Sequence, residues 1–339
     1  MKCLRIFSTL RSKPQAFLVL GALFCLAAGL AGLCVGPSSI PLSELWRALT
    51  GQSGGTAFAI LVHVRLPRVL GALAAGAGLA SGGAIIQSVF ANPLAGPNII
   101  GVNSGAGLAV ALCCALFPAG FWAVPAAAFA GALLSVLGVF LIAKKCGASR
   151  MTMVLTGVAA SSILGACTDA VMALFPDALA GMAGFRVGGL AGVSFRQVLP
   201  ACLYILAGFI LAMLFSNELD VLSLGDDVAQ SLGMRASFVR LAVLMTAALM
   251  VGASVSFAGL LGFVGLLVPH ICRLFVGGES RLLLPASALF GGALLLFCDL
   301  LSRVLFAPYE LPVGILLSLL GGPFFLWLLL RRKGGHLHD

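Results

Sequence analysis

The chain has 339 residues, of which 61% are hydrophobic and only 9% charged, against roughly 25% charged in an average soluble domain. Its twenty basic and eleven acidic residues leave a net charge of +9. In a soluble protein that surplus would raise nucleic acid as a partner. Here the basic residues lie along short connections between apolar runs, so they read as topology signals and no nucleic acid is expected. The ten cysteines include no C-x-x-C pair, and most sit inside apolar runs as small hydrophobes, which leaves no disulfide framework and no metal site. The expectation is an all-α polytopic membrane protein, one domain over residues 1–339.

A transmembrane helix needs about 20 apolar residues. In chain order the candidates are 15–35, 69–90, 98–118, 121–143, 151–174, 197–216, 237–257, 260–276, 283–304 and 311–330. This makes about ten spans, the eighth short enough that it need not cross fully. The N-terminal MKCLRIFSTLRSKPQ could open a signal peptide. The run from Ala16 to Val35 is long enough to span, however, and Leu33 before Cys34 is not the small residue that lipoprotein processing wants. An uncleaved first span is therefore expected. Ten spans place both termini on one side. With the N-terminus inside, fourteen lysines and arginines fall on inner segments and six on outer ones, so both termini are expected to be cytoplasmic. That makes 1–14 and 331–339 cytoplasmic tails.

Ahead of the second span, Arg65 and Arg68 flank Pro67 just outside the membrane. They read either as interfacial anchors or as a docking point for an acidic partner. The span itself carries small residues at close spacing, which suits tight helix packing. Asn92-Pro93-Leu94-Ala95-Gly96-Pro97 then makes a rigid inner turn, because proline fixes its own φ and restricts the residue before it. At an offset of 176 residues, Ala72, Gly76, Gly83 and Pro93 match Ala248, Gly252, Gly259 and Pro269, a hint of inverted halves.

The largest inner loop, within 217–235, reads NELDVLSLGDDVAQSLGM. Two short helices are expected in it. Asn217 would cap the first, and Gly225 or Asp226 would start the second, with Val228 and Leu232 on one face. An amphipathic helix at a membrane surface needs somewhere to put its apolar side, so a soluble partner is favoured over a solvated connector. Next, GLLGFVGLLVPHICRLFVGGESR over 259–281 sets five glycines among large apolar side chains, broken by Pro269-His270 and followed by Arg273. Glycine lets backbones approach closely in a membrane. Proline frees a carbonyl that a neighbour must satisfy. Asp299 lies in the ninth span with Arg303 four residues on. A proton relay is one reading, and a structural i,i+4 ion pair is preferred. Ser104 and His270 could in principle serve an intramembrane protease, but nothing around them singles out a nucleophile. No G-x-x-x-x-G-K-[ST] occurs, so any ATP must be hydrolysed by another chain. No catalytic residue and no cofactor is expected.

Taken together, Arg65-Leu-Pro-Arg68, Gln87, Asn92-Pro93-Leu94-Ala95, the loop ending in Leu232-Gly233, Phe263-Val-Gly-Leu with Pro269-His270 and Arg273, Asp299 with Arg303, Glu310-Leu-Pro-Val-Gly314 and Gly321-Gly-Pro323-Phe-Phe resemble the FecCD-type permeases. These are the membrane subunits of ABC importers for iron–siderophores, haem and cobalamin. The resemblance implies the type II ABC importer permease fold in a bacterial inner membrane. It implies a second permease subunit, as a homodimer or a paired heterodimer, and a cytoplasmic ABC ATPase dimer. It also implies a periplasmic or lipid-anchored substrate-binding protein, which arginines like Arg65, Arg68 and Arg303 would meet. The residues Asn217, Glu218, Leu219, Asp220, Leu224, Gly225, Asp226, Leu232 and Gly233 would couple to the ATPase, while Asn92, Pro93, Pro269, His270 and Arg273 are structural. Iron–siderophore is the leading cargo, with haem, cobalamin or a chelated oxyanion as alternatives, and an ion-coupled carrier is the competing class. Where the family shows W-x-x-G-S-L, the chain has Phe185-Arg-Val-Gly-Gly-Leu190. Arg186 there reads as a sign of anionic substrate or as an interfacial anchor.

Overall fold

The computed structural model describes residues 14–36, 56–117, 123–147 and 149–333. The expected tails therefore lie outside the described residues, apart from Pro14 and the helical residues 331–333, and so does Arg47. Every regular element among the described residues is helical: α1 (Pro14–Cys34), α2 (Thr56–Ile60), a π-helical turn (Leu61–Arg65), α3 (Leu66–Val89), a 3-10 turn (Pro97–Ile100), α4 (Val102–Leu116), α5 (Val124–Lys145), α6 (Arg150–Leu174), α7 (Pro176–Val187), α8 (Phe195–Leu214), α9 (Ser216–Leu224), α10 (Asp226–Ser231), α11 (Ala236–Ala258), α12 (Val264–Val276), α13 (Ser280–Val304) and α14 (Val313–Lys333).

Among the described residues, seven stretches are long and apolar enough to cross a membrane: Gln15–Cys34, Phe58–Val89, Val124–Lys145, Arg150–Leu174, Phe195–Leu214, Ala236–Ala258 and Ser280–Val304. Shorter apolar helices, Val102–Leu116, Val264–Val276 and Val313–Leu326, stand where the third, eighth and tenth spans were expected. The 13 residues of α12 measure about 20 Å along the axis, against a hydrocarbon layer of about 30 Å. The helix starts follow local chemistry. Ser194 and Gln197 close a capping box at α8, which satisfies two amides that the first turn leaves orphaned. Ser149 Oγ accepts from the Thr152 amide at 3.1 Å before α6. Pro176 opens α7, where a missing amide costs nothing.

Phe58–Val89 and Ala236–Ala258 are the most enclosed spans, whereas Gln15–Cys34 and Arg150–Leu174 are the least. The central helix α3 runs antiparallel to α11, with Gly71 against Phe257, Gly78 against Ser254 and Gly82 against Val251. It also packs on α13 and α12. The α3–α13 contact closes at Gly76 and Gly291. A Cβ on either would strike the other's carbonyl, and Gly83 meets Gly265 of α12 in the same way. Two helices in lipid gain little from hydrophobicity and depend on this closeness for dispersion contact.

Two expectations are corrected here. Arg65 and Arg68 are not in a segment preceding the second span. The helical run begins at Thr56 and carries both inside it, with both side chains buried. Asn217 does not cap the first loop helix, because α9 starts one residue earlier with Phe215 in the cap position. The second loop helix starts at Asp226 after Gly225, as its sequence suggested. Of the paired repeat prolines, Pro93 lies in the turn after α3 and Pro269 inside α12, so those two positions are not structurally alike.

Candidate functional site

Two polar clusters sit at opposite ends of α13. Ser280 at its start contacts α9, while Asp299 and Arg303 near its end contact α3. The 19 residues from 280 to 299 rise about 29 Å, close to a membrane thickness.

At the Asp299 end, four charged side chains are buried: Arg65, Arg68, Asp299 and Arg303. Arg68 Nε donates to Asp299 Oδ1 at 2.8 Å, and its Nη1 donates to Glu310 Oε2 at 2.8 Å. Arg303 Nη2 lies 3.1 Å from Asp299 Oδ2, so the i,i+4 pair expected from sequence is present and Arg68 joins it. The remaining donors turn to the end of α1. Arg65 Nη1 donates to the carbonyls of Leu33 and Cys34 at 2.6 and 2.9 Å, and Arg303 Nη1 donates to those of Gly32 and Val35 at 3.1 and 3.3 Å. The last carbonyls of a helix have no partner of their own and carry its negative dipole end. Three guanidinium groups are thus balanced by two carboxylates and one helix terminus. Glu310 is the accessible acid of the cluster, its side chain 32% exposed. Beside it opens a hollow of about 560 Å³, which reaches Gln197, Ser256 and the glycines that follow α7.

At the other end, α9 and α10 are tied down by polar contacts. Asp220 Oδ1 accepts from the Ser280 amide at 2.9 Å and from its hydroxyl at 2.6 Å, so the loop caps the first turn of α13. Asp226 pairs with buried Arg240 and lies 4.0 Å from Arg150 Nε, while Arg150 also donates to the Leu222 carbonyl. Leu219, Leu222 and Ala229 are buried beneath, and Glu218 is half-buried. Gly225 and Gly233 take φ of +129° and +77°, which a side chain would resist. On the outer surface Leu224 is 68%, Val228 40% and Leu232 66% exposed. A short segment anchored this firmly from below presents an apolar face that, among the described residues, nothing of this chain covers.

The residues of the proposed structural motif lie in the turn after α3 and along α12. Asn92 Oδ1 accepts from the Leu94 amide at 2.9 Å, which fixes the turn that carries Pro93. Gln87 Nε2 donates to the Leu266 carbonyl at 3.1 Å, in the helical turn that leads to Pro269, and α12 runs through the proline without the break the sequence suggested. Pro269 is buried, and His270 and Arg273 are half-buried. Arg273 lies in the last turn of α12, so it stands at the α9 end of the bundle. Sequence reasoning missed the partners of Asp226 (Arg150 and Arg240) and of Arg68 (Asp299 and Glu310), and it missed α7 as a helix. For α7 the signals were present: Pro176 and Asp177 at the start and Gly188 just past the end are the usual helix punctuation.

Comparisons with known proteins cover most of the chain and agree. The FecCD transport family model matches residues 23–331. The Fe(3+)-citrate import system permease protein YfmD of Bacillus subtilis is 37% identical over 326 residues, covering 96% of this chain and 97% of that protein. The hemin transport system permease protein HmuU of Yersinia pestis is 36% identical over 332 residues, covering 96% and 98%. The Fe(3+) dicitrate transport system permease protein FecD of Escherichia coli is 38% identical over 309 residues, covering 90% and 96%. A solved structure described as an inward-facing conformation of a metal-chelate type ABC transporter superposes with a TM-score of 0.83 at 27% identity, covering 93% of this chain and 98% of that one.

Proposed function

Because the chain belongs to the FecCD transport family, the membrane permease subunits of ABC transporters, we propose that it is the permease of an ATP-driven importer carrying an iron–siderophore-like chelate into the cytoplasm. The observation that carries this reading is the α9–α10 surface. Asp220 and Asp226 bolt it to α13 and α11, and Leu224, Val228 and Leu232 face outward. A pair of helices so fixed can pass a push from a docked ATPase directly into two spans. The reading places this end and both termini in the cytoplasm, counts the three shorter apolar helices as spans to make ten, and pairs the chain with a second permease subunit and a cytoplasmic ATPase dimer in a bacterial inner membrane.

Docking of a periplasmic or lipid-anchored binding protein belongs at the opposite end, on the rim built by Arg65, Arg68 and Arg303. Their guanidinium groups are occupied inside the bundle. They would therefore act on docking through the rim they hold and through Arg68, whose partner Glu310 is the accessible acid. The relatives' cargoes are ferric citrate and haem, so a bulky chelate is the cargo class, with haem or cobalamin as the alternatives to a siderophore. An ion-coupled carrier is the weaker reading, because Asp299 is locked between two arginines and a proton carrier needs a carboxylate free to change its charge.

The test is chelate uptake into proteoliposomes holding the permease, its ATPase and its binding protein. Uptake should require ATP and stop when the ATPase's catalytic glutamate is removed. Uptake without any ATPase would sink the importer reading and favour the ion-coupled carrier.

A further inference from the structure

Arg186 is a cation of this bundle with little local justification. It is exposed in the last turn of α7. Its one recorded contact is Nη1 to the Met172 thioether at 3.8 Å, a poor acceptor for a charged donor. Among the described residues it joins none of the ion pairs, and the carboxylates nearest in sequence, Asp169 and Asp177, are not in contact with it. Three arginines of this end, Arg65, Arg68 and Arg303, are by contrast buried against carbonyls or carboxylates. An arginine left unpaired at the margin of an apolar bundle marks a place reached by water or by an anion.

Its position is held rigidly. The carbonyl of Phe185 accepts from the Leu260 amide at 2.9 Å, the Gly189 amide donates to the Ala258 carbonyl at 2.9 Å, and the Gly314 amide donates to the Gly188 carbonyl at 3.2 Å. The end of α7 is thus stitched to the end of α11 and the start of α14. Gly314 permits this, since a Cβ there would strike the Val187 carbonyl. Arg186 lines a hollow of about 400 Å³ whose other walls are mainly apolar: Leu260, Ile315 and Leu319, with Ser318. The Ser318 hydroxyl is already committed to the Gly314 carbonyl. On the other side of α7 lies the hollow of about 560 Å³ that reaches Arg68 and Glu310. Arg186 therefore supplies the positive charge in an apolar recess at the mouth end, on a fixed scaffold. It suits the edge of a ligand that is bulky, largely apolar in contact and negatively charged at its rim, because a guanidinium fork binds carboxylate oxygens two at a time.

We infer that Arg186 is a specificity-determining residue which selects anionic, carboxylate-bearing metal chelates over neutral ones at the entrance of the path. The inference rests on the importer reading above. The test uses the full complex in proteoliposomes, with ferric citrate as the anionic chelate and a neutral ferric trihydroxamate as its comparison, both labelled with radioactive iron. Arg186→Gln should lower the ratio of anionic to neutral uptake about tenfold, the loss of one charge-assisted contact. Arg186→Glu should lower the ratio further, and Arg186→Lys should keep part of it. An unchanged ratio in Arg186→Gln, or equal loss of both chelates, would overturn the assignment and leave an interfacial anchor. Wild-type uptake of the neutral chelate alone would also overturn it while leaving the importer reading standing. Absence of ATP-dependent uptake of either chelate would instead remove the importer reading itself.

Discussion

Asp299→Asn takes away the charge that two guanidinium groups share. Asp299 is fully buried, 2.8 Å from Arg68 Nε and 3.1 Å from Arg303 Nη2. Removing one partner of a buried pair costs about 3–5 kcal/mol, because the remaining charge is left without compensation. Here part of the compensation survives. Arg68 keeps Glu310, Arg303 keeps the carbonyls of Gly32 and Val35, and the asparagine can still accept one hydrogen bond. The expected loss is therefore at the lower end, about 3 kcal/mol. It is measured by SDS-titrated unfolding of the purified permease in mild detergent, comparing midpoints and slopes. Adding Arg303→Met to Asp299→Asn should recover part of the loss, since it deletes one of the two stranded charges and contacting residues are not additive. A loss below about 1 kcal/mol for the single variant, or simple additivity of the two, would refute the claim that the pair is a buried, mutually dependent unit.

Gly76→Val should weaken the bundle by about 1–3 kcal/mol in the same assay by pushing α3 off the Gly291 carbonyl, and unchanged stability would mean that the close approach is not needed. Asp220→Ala should lower stability by about 1 kcal/mol by removing the cap of α13, and a Ser280 amide as protected from hydrogen exchange as in the wild type would contradict that role. Aspartate at Leu224 and Leu232 together should abolish co-purification of the ATPase while leaving the permease monodisperse. Normal co-purification would move the docking face elsewhere.

Much of the architecture is legible in the sequence because lipid forces it. A run of about 20 apolar residues in a membrane must satisfy its backbone internally and so becomes a helix. The expected spans at 151–174 and 237–257 differ from α6 and α11 by no more than one residue at either end. Short-range chemistry is legible for the same reason. The Asp299–Arg303 pair is four residues apart, and the break between α9 and α10 falls at the glycine that the sequence marks. What the sequence could not show is which charges meet across the bundle. Arg68 finds Asp299 across 231 residues and Glu310 across 242, and Arg65 finds the end of α1 across 32. Nothing in spacing or periodicity encodes those distances. They follow from glycines that let α3 lie close on α13, and that contact brings the arginines of the helical run against Asp299 and the end of α1. The arginines flanking Pro67, which by sequence alone stand outside the membrane as anchors or a docking point, become by packing the buried clasp that joins α1, α3 and α13.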